Sequence, residues 1–182
     1  MKTAKRLEHI QEYYFSRKLK EINSLISDGK PIINLGIGSP DIMPPSSVVE
    51  KLIKSLDSPI AHKYQGYKGI EPFRIAIKDF YQNNYNVKLD PNNQILPLIG
   101  SKEGIMHISL AFLDEGDEVL IPNPGYPTYS AVTKIVGAKP IYYSLKESKS
   151  WLPDINELKK LDLSKVKIMW INYPNMPTGA GC

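Results

Sequence analysis

Apolar residues recur at three- and four-residue steps through Leu7, Ile10, Tyr14, Leu19, Ile22 and Leu25, which predicts a helix over residues 4–28. Asp28-Gly29 then stops it. The run 31–35, Pro-Ile-Ile-Asn-Leu, reads as a short strand, and Gly36 to Pro45 as an extended loop. Ser46 or Ser47 can cap a helix to about Leu56. Residues 59–69 read as a loop and Ile70 to Tyr85 as a helix, with Pro72 in the first turn, where proline is tolerated. From Gln94 the pattern alternates. Strands are expected at 94–99, 117–121, 139–143 and 166–171, and helices at 101–113, 128–136 and 154–160.

Strand–helix alternation with short apolar strands predicts an α/β fold. A mostly parallel sheet would carry helices on both faces, behind an N-terminal helical segment. The expected division is an N-terminal arm and small-domain contribution over 1–58, then a large domain over 59–182. Length and composition agree with this: 182 residues, 42% hydrophobic and 23% charged, suit one globular domain with an appendage. No apolar run approaches the roughly 18 residues a membrane helix needs, and the charged start does not read as a signal peptide. No membrane partner is expected, and a cytoplasmic location is. The single cysteine, Cys182, leaves no internal disulfide framework or cysteine zinc site. The charge of +4 is spread over lysines interleaved with acids, and only Arg6, Arg17 and Arg74 are arginines. Nucleic-acid recognition wants a concentrated basic face, so it is not expected.

Candidate chemistry falls in loops that follow predicted strands. Gly100-Ser101-Lys102-Glu103-Gly104 joins a predicted strand to a helix. A helix N-terminus there offers free N–H donors and a positive dipole end; Ser101 adds a hydroxyl and Lys102 a charge, which together suit a phosphate. An N-cap serine beside a solvated lysine is the plainer alternative. The segment is not a Walker A loop, and Gly-x-Gly-x-x-Gly occurs nowhere. In the next such loop, Pro122-Asn123-Pro124-Gly125-Tyr126-Pro127, the prolines stiffen the chain around Tyr126, on which a flat ring could stack. Tyr126 and Tyr129 could instead simply pack beneath the loop. Gly36 and Gly38, two residues apart, allow close backbone approach to a ligand, or an ordinary turn. His9, His62 and His107 have no ligand spacing, and no metal site is expected. The acids around Gly116 read as a solvated turn.

Taken in order, these segments are more specific than any of them alone. Gly-x-Gly-Ser-Pro-Asp, Tyr-x4-Gly, Gly-Ser-Lys-Glu-Gly, Pro-x-Pro-Gly-Tyr-Pro-x-Tyr and Tyr-Pro-Asn-x-Pro-Thr-Gly follow one another from Gly36 to Gly179. The series resembles the class I and II, fold type I aminotransferases that use pyridoxal 5'-phosphate. Tyr13-Tyr14-Phe15 and the run from Ile33 to Asp41 make it most similar to the branch with LL-diaminopimelate and aspartate aminotransferases. The likeness runs from about Tyr13 to Gly179 and covers only the N-terminal part of that family's length.

The resemblance implies amino acid and 2-oxo acid substrates and a set of roles. Gly100, Ser101 and Lys102 would hold the cofactor phosphate, and Tyr126 would stack on its ring. Tyr64 matches a tyrosine that reaches the phosphate in a neighbouring subunit, which implies a homodimer with shared sites. Gly38 matches a glycine whose backbone meets the substrate carboxylate, and Tyr13 a tyrosine near the substrate.

Two departures stand out. Met176 occupies the place of an asparagine that bonds the cofactor's phenolic oxygen. A thioether is a weak acceptor and no useful donor, so that role falls to Asn175 or to nothing. The family's Schiff-base lysine, the acidic partner of the ring nitrogen and the carboxylate-gripping arginine all lie beyond the Pro-Thr-Gly loop. No catalytic residue is therefore expected within this chain, which is expected to be the inactive, poorly soluble front part of an aminotransferase. A lyase or synthase of the same fold, or a non-catalytic module that binds the cofactor, remain alternatives.

Overall fold

The computed structural model describes residues 2–8, 12, 14–36 and 38–182. Contacts divide the chain into two compact units, Glu12–Pro97 on one hand and Leu98–Cys182 with Met1–Gln11 on the other.

The unit Glu12–Pro97 is helical, with α1 (Tyr14–Ser27), α2 (Ser46–Leu56) and α3 (Glu71–Tyr85). The predicted 4–28 helix is realised as α1, preceded by a short 3-10 helix at Lys5–Leu7. The strands expected at 31–35 and 94–99 do not form. A strand exists only through hydrogen bonds to a neighbour, and among the described residues neither run has one; Ile33 and Leu35 are instead almost fully exposed. Arg74 ties this unit's loops together. Its guanidinium donates to the carbonyls of Gly69 at 2.6 Å, Pro91 at 2.9 Å and Lys68 at 3.2 Å.

The other unit contains α4 (Ser101–Phe112), β1 (Glu118–Asn123), α5 (Pro127–Ile135), β2 (Lys139–Ser144), α6 (Ile155–Leu158) and β3 (Val166–Met169). The three strands make a wholly parallel sheet in the order β2-β1-β3. β1 is central, and its Val119, Leu120 and Ile121 are all buried, as expected of a strand covered on both faces. Val119 and Ile121 pack with Ile105 of α4 and with Tyr129 and Val132 of α5. Leu120 points the other way, toward Tyr143, Leu145 and Leu158 of α6. Helices on both faces are thus as expected, though α6 is a single turn whose N-cap, Asp154, accepts from the amides of Asn156 and Glu157.

β3 carries one more residue than β1 between their first paired positions, since Glu118 pairs with Val166 but Val119 with Ile168. That bulge changes the phase of the strand. It is why Val166 joins one core cluster while Ile168 and Trp170 join the other. At the end of α5, Gly137 takes φ +87. The next amide, Ala138, donates back to Thr133 at 3.0 Å, closing the helix and turning the chain into β2.

Candidate functional site

α4 begins immediately after Gly100, and no side chain among the described residues caps it. The first-turn amides of a helix have no intrahelical acceptor, so this end of a twelve-residue helix keeps donors and positive potential to offer. The one acid in its first turn does not compete for the position. Glu103 accepts from the amide of Ile99 at 2.7 Å and lies 3.5 Å from His107 Nε2. Lys102 pairs with no carboxylate among the described residues.

Tyr126 reaches the same place from the carboxyl end of β1. Ile99, Gly100, Ser101, Lys102, Glu103 and Tyr126 line one open pocket of about 400 Å³. Tyr126 is half-buried and immediately precedes Pro127, the first residue of α5. Proline's fixed φ suits that position. The turn that delivers the tyrosine is tight. A Cβ on Gly125 would run into the Pro122 carbonyl oxygen and lie 2.8 Å from its ring Cγ. Lys102 Nζ lies 5.8 Å from the Tyr126 ring centroid, close enough for a cation–π attraction. A hydrogen bond from Thr128, aided by Lys102, holds the Tyr126 phenol below its ordinary range against the opposing effect of burial.

Behind Tyr126 stand Tyr129, for which packing beneath the loop was one of the two expectations, and Trp170, which the sequence alone did not single out. Tyr129 meets Tyr126 edge-on, with centroids 5.8 Å apart and planes at 82°. Trp170 then stacks on Tyr129 at 5.1 Å and 13°. The one-turn spacing of Tyr126 and Tyr129 was a readable signal for the first contact. Nothing local pointed to Trp170, which arrives from β3.

Asn175 lies in the loop after β3 and is 2% exposed. Its side-chain amide donates to Thr178 Oγ1 at 3.0 Å, while its backbone takes part in two 2.7 Å bonds, to Ala180 and from Gly179. Met176, its neighbour, is about half exposed. Tyr64 and Gly38 belong to the unit Glu12–Pro97. Tyr64 is 88% exposed, and among the described residues nothing lies within 4 Å of where a Gly38 Cβ would be. Tyr13 lies outside the described residues. Among the described residues no cluster of acids, histidines and cysteines could hold a metal. Nor is any helix long and apolar enough to cross a membrane. The acids near Gly116 form the expected turn, in which Asp117 accepts from the Asp114 amide at 2.7 Å and pairs with Lys167 at 2.9 Å.

The residues around the α4 end are chemically suited to an anion with a flat ring beside it, set at the carboxyl edge of a parallel sheet, where open α/β proteins hold their ligands. Comparison with known proteins places the chain in a family of that kind. It belongs to the class I and II aminotransferases, whose family profile matches residues 30–182. An LL-diaminopimelate aminotransferase of Dehalococcoides mccartyi (strain ATCC BAA-2266 / KCTC 15142 / 195) is 41% identical over 180 residues, 99% of this chain and 46% of the relative. One from Moorella thermoacetica is 42% identical over the same length, with the same coverage. Among solved structures, an alanine aminotransferase from Pyrococcus furiosus superposes with a TM-score of 0.88 at 31% identity. It covers 99% of this chain and 46% of its own. The chain therefore spans about half the length of the curated relatives it matches.

Proposed function

We propose that this chain supplies the cofactor-phosphate and ring-stacking part of an aminotransferase that moves an amino group between an amino acid and a 2-oxo acid with pyridoxal phosphate. The observation that carries the reading is the uncapped start of α4, with Ser101 and Lys102 opening on the pocket that Tyr126 lines. These residues fit the cofactor's two ends: donors and a cation for a phosphate dianion, and an aromatic face for a pyridine ring. When bound, the cofactor supplies the electron-withdrawing ring on which amino transfer depends.

In this reading the α4 amides, the Ser101 hydroxyl and the Lys102 ammonium bind and orient the phosphate, and Tyr126 fixes the plane of the ring. Asn175 takes the ring's phenolic side with the second N–H of its side-chain amide, the first being given to Thr178. Gly38 and Tyr13 meet the substrate, and Tyr64 serves the phosphate of a second copy in a homodimer. The names of the curated relatives favour a diaminopimelate-type amino donor, and the cytoplasm is the proposed location. Lys102 is committed to the phosphate end, so the chain by itself binds the cofactor without forming a covalent adduct and without turnover.

Titration of the chain with pyridoxal phosphate, followed by absorbance and by borohydride treatment, tests this. Reversible binding is expected, weakened about ten- to a hundred-fold by Lys102→Ala, the size of a lost charge-assisted hydrogen bond. No borohydride-fixed adduct is expected. A chain indifferent to the cofactor overturns the reading, and a fixed adduct on any lysine overturns the assignment of Lys102 and the expected inactivity.

A further inference from the structure

The tight turn before α5 fixes the backbone of Tyr126, but the plane of its ring depends on what it touches. It is half-buried and precedes α5, so its ring needs a support to keep one plane. Tyr129 gives that support edge-on, at 5.8 Å and 82°, the arrangement that aromatic quadrupoles favour. Tyr129 is itself immobilised. It is 7% exposed and packs in the core with Val119, Ile121 and Val132. Its carbonyl accepts from Thr133 Oγ1 at 2.7 Å. A face of its ring is covered by the Trp170 indole, stacked within 13° of parallel. Trp170 is pinned to the sheet in turn, its amide donating to Leu120 at 2.9 Å and its carbonyl accepting from Tyr143 at 2.7 Å.

One detail argues against Trp170 as plain core filling. Its indole Nε1 is buried with no hydrogen-bond partner among the described residues. A buried unsatisfied donor carries a cost that an aliphatic residue of similar bulk would avoid. What the indole contributes and an aliphatic chain cannot is a flat face against Tyr129.

We infer that Tyr129 is a positioning residue for the Tyr126 ring, with Trp170 as its backing, so that a line of three aromatics carries the rigidity of the sheet core into the pocket. The inference rests on the proposed binding of pyridoxal phosphate and adds to it how the stacking plane is set. The proposed phosphate donors belong to α4 and the three aromatics do not, so the two ends of the ligand can be tested apart without any activity assay.

The full chain is titrated with pyridoxal phosphate and, separately, with inorganic phosphate. Tyr129→Phe keeps the ring and should bind both as the wild type does. Tyr129→Leu should weaken pyridoxal phosphate binding about three- to ten-fold, the range of an aromatic pair, and leave inorganic phosphate binding unchanged. Trp170→Leu should shift binding in the same direction, and it carries the comparison if Tyr129→Leu does not fold. Equal pyridoxal phosphate binding in all variants overturns the inference while the proposed function stands. Parallel loss of both ligands, tracking a lowered melting temperature, also overturns it, because a merely structural role would act that way. A wild-type chain that binds neither ligand overturns the proposed function itself, a result distinct from both.

Discussion

Lys102 Nζ stands 5.8 Å from the centroid of the Tyr126 ring, although the two arrive on different segments, one in the first turn of α4 and the other after β1. The contact joins the cation proposed for the phosphate to the ring proposed for the cofactor. It also makes the tyrosine's ionisation a report on the pocket.

Tyr126 should therefore titrate below the ordinary tyrosine range, first because of Thr128 and then because of Lys102. A depressed pKa means folding favours the phenolate. The resulting stabilisation is present only above the ordinary tyrosine pKa and is lost as the pH falls through the lowered one. At neutral pH it contributes nothing. Thr128→Val and, to a smaller extent, Lys102→Met should move the titration back upward. The measurement is ultraviolet absorbance against pH, with Tyr126→Phe as the subtraction. Identical curves in all variants would remove both contacts from consideration.

Tyr143 should behave in the opposite sense. Burial pushes its phenol up to about 12, and the neutral hydroxyl donates to the Trp170 carbonyl at 2.7 Å. A raised pKa favours the protonated form, so this stabilisation is complete below the ordinary tyrosine value near 10 and is lost as the pH rises through about 12. Tyr143→Phe should cost about 1 kcal/mol at neutral pH and flatten the alkaline fall in stability. Urea unfolding at several pH values reads both effects, and an unchanged alkaline slope in the variant would refute the assignment.

Gly125→Ala should displace the Tyr126 turn. The added methyl meets the Pro122 carbonyl and ring, which are too constrained to give way cheaply. Overpacking of this sort costs about 1–3 kcal/mol, and weaker pyridoxal phosphate binding should accompany the lower melting temperature. A variant with wild-type stability would mean the loop relaxes without penalty.

Ile121→Ala opens a cavity in the central strand, where the side chain is 2% exposed. A loss of about 2–5 kcal/mol in urea unfolding is expected. A much smaller loss would show that α4 and α5 close over the gap.

The residues of α2 give a fifth expectation. Val48, Leu52, Ile53 and Leu56 are each more than half exposed, and among the described residues of the unit Glu12–Pro97 Ile95 is the one buried hydrophobic residue. An apolar face of this kind favours association. The purified chain should self-associate at micromolar concentration and disperse on Leu52→Glu combined with Leu56→Glu. Sedimentation as a single, cooperatively melting monomer would count against it.

Much of the architecture could be read from periodicity. α2 runs from Ser46 to Leu56 as the apolar spacing predicts, and the bounds of α4, α5 and β1 to β3 fall within a few residues of expectation. The expected serine cap does not form: Pro45 holds the N-cap position of α2, Ser46 is already its first helical residue, and among the described residues no side chain bonds its free amides. The misreadings share a cause. The run at 31–35 and the run at 94–99 look as apolar as β1, and an apolar stretch carries no information about whether a neighbouring strand is there to receive its hydrogen bonds.

At the candidate site, the sequence by itself determined which side chains have suitable chemistry: Ser101 and Lys102 at a helix start, Tyr126 in a proline-stiffened loop, Asn175 beside Met176. Those are local properties, because caps, turns and dipole ends depend on a few consecutive residues. Only the tertiary structure decided that Lys102 and Tyr126 share one pocket, that Asn175 spends its amide on Thr178, and that Trp170 backs Tyr129. Each of these depends on where the parallel sheet and its bulge place residues far apart along the chain. Such long-range pairing is decided when the whole core packs, and no short stretch of sequence contains it.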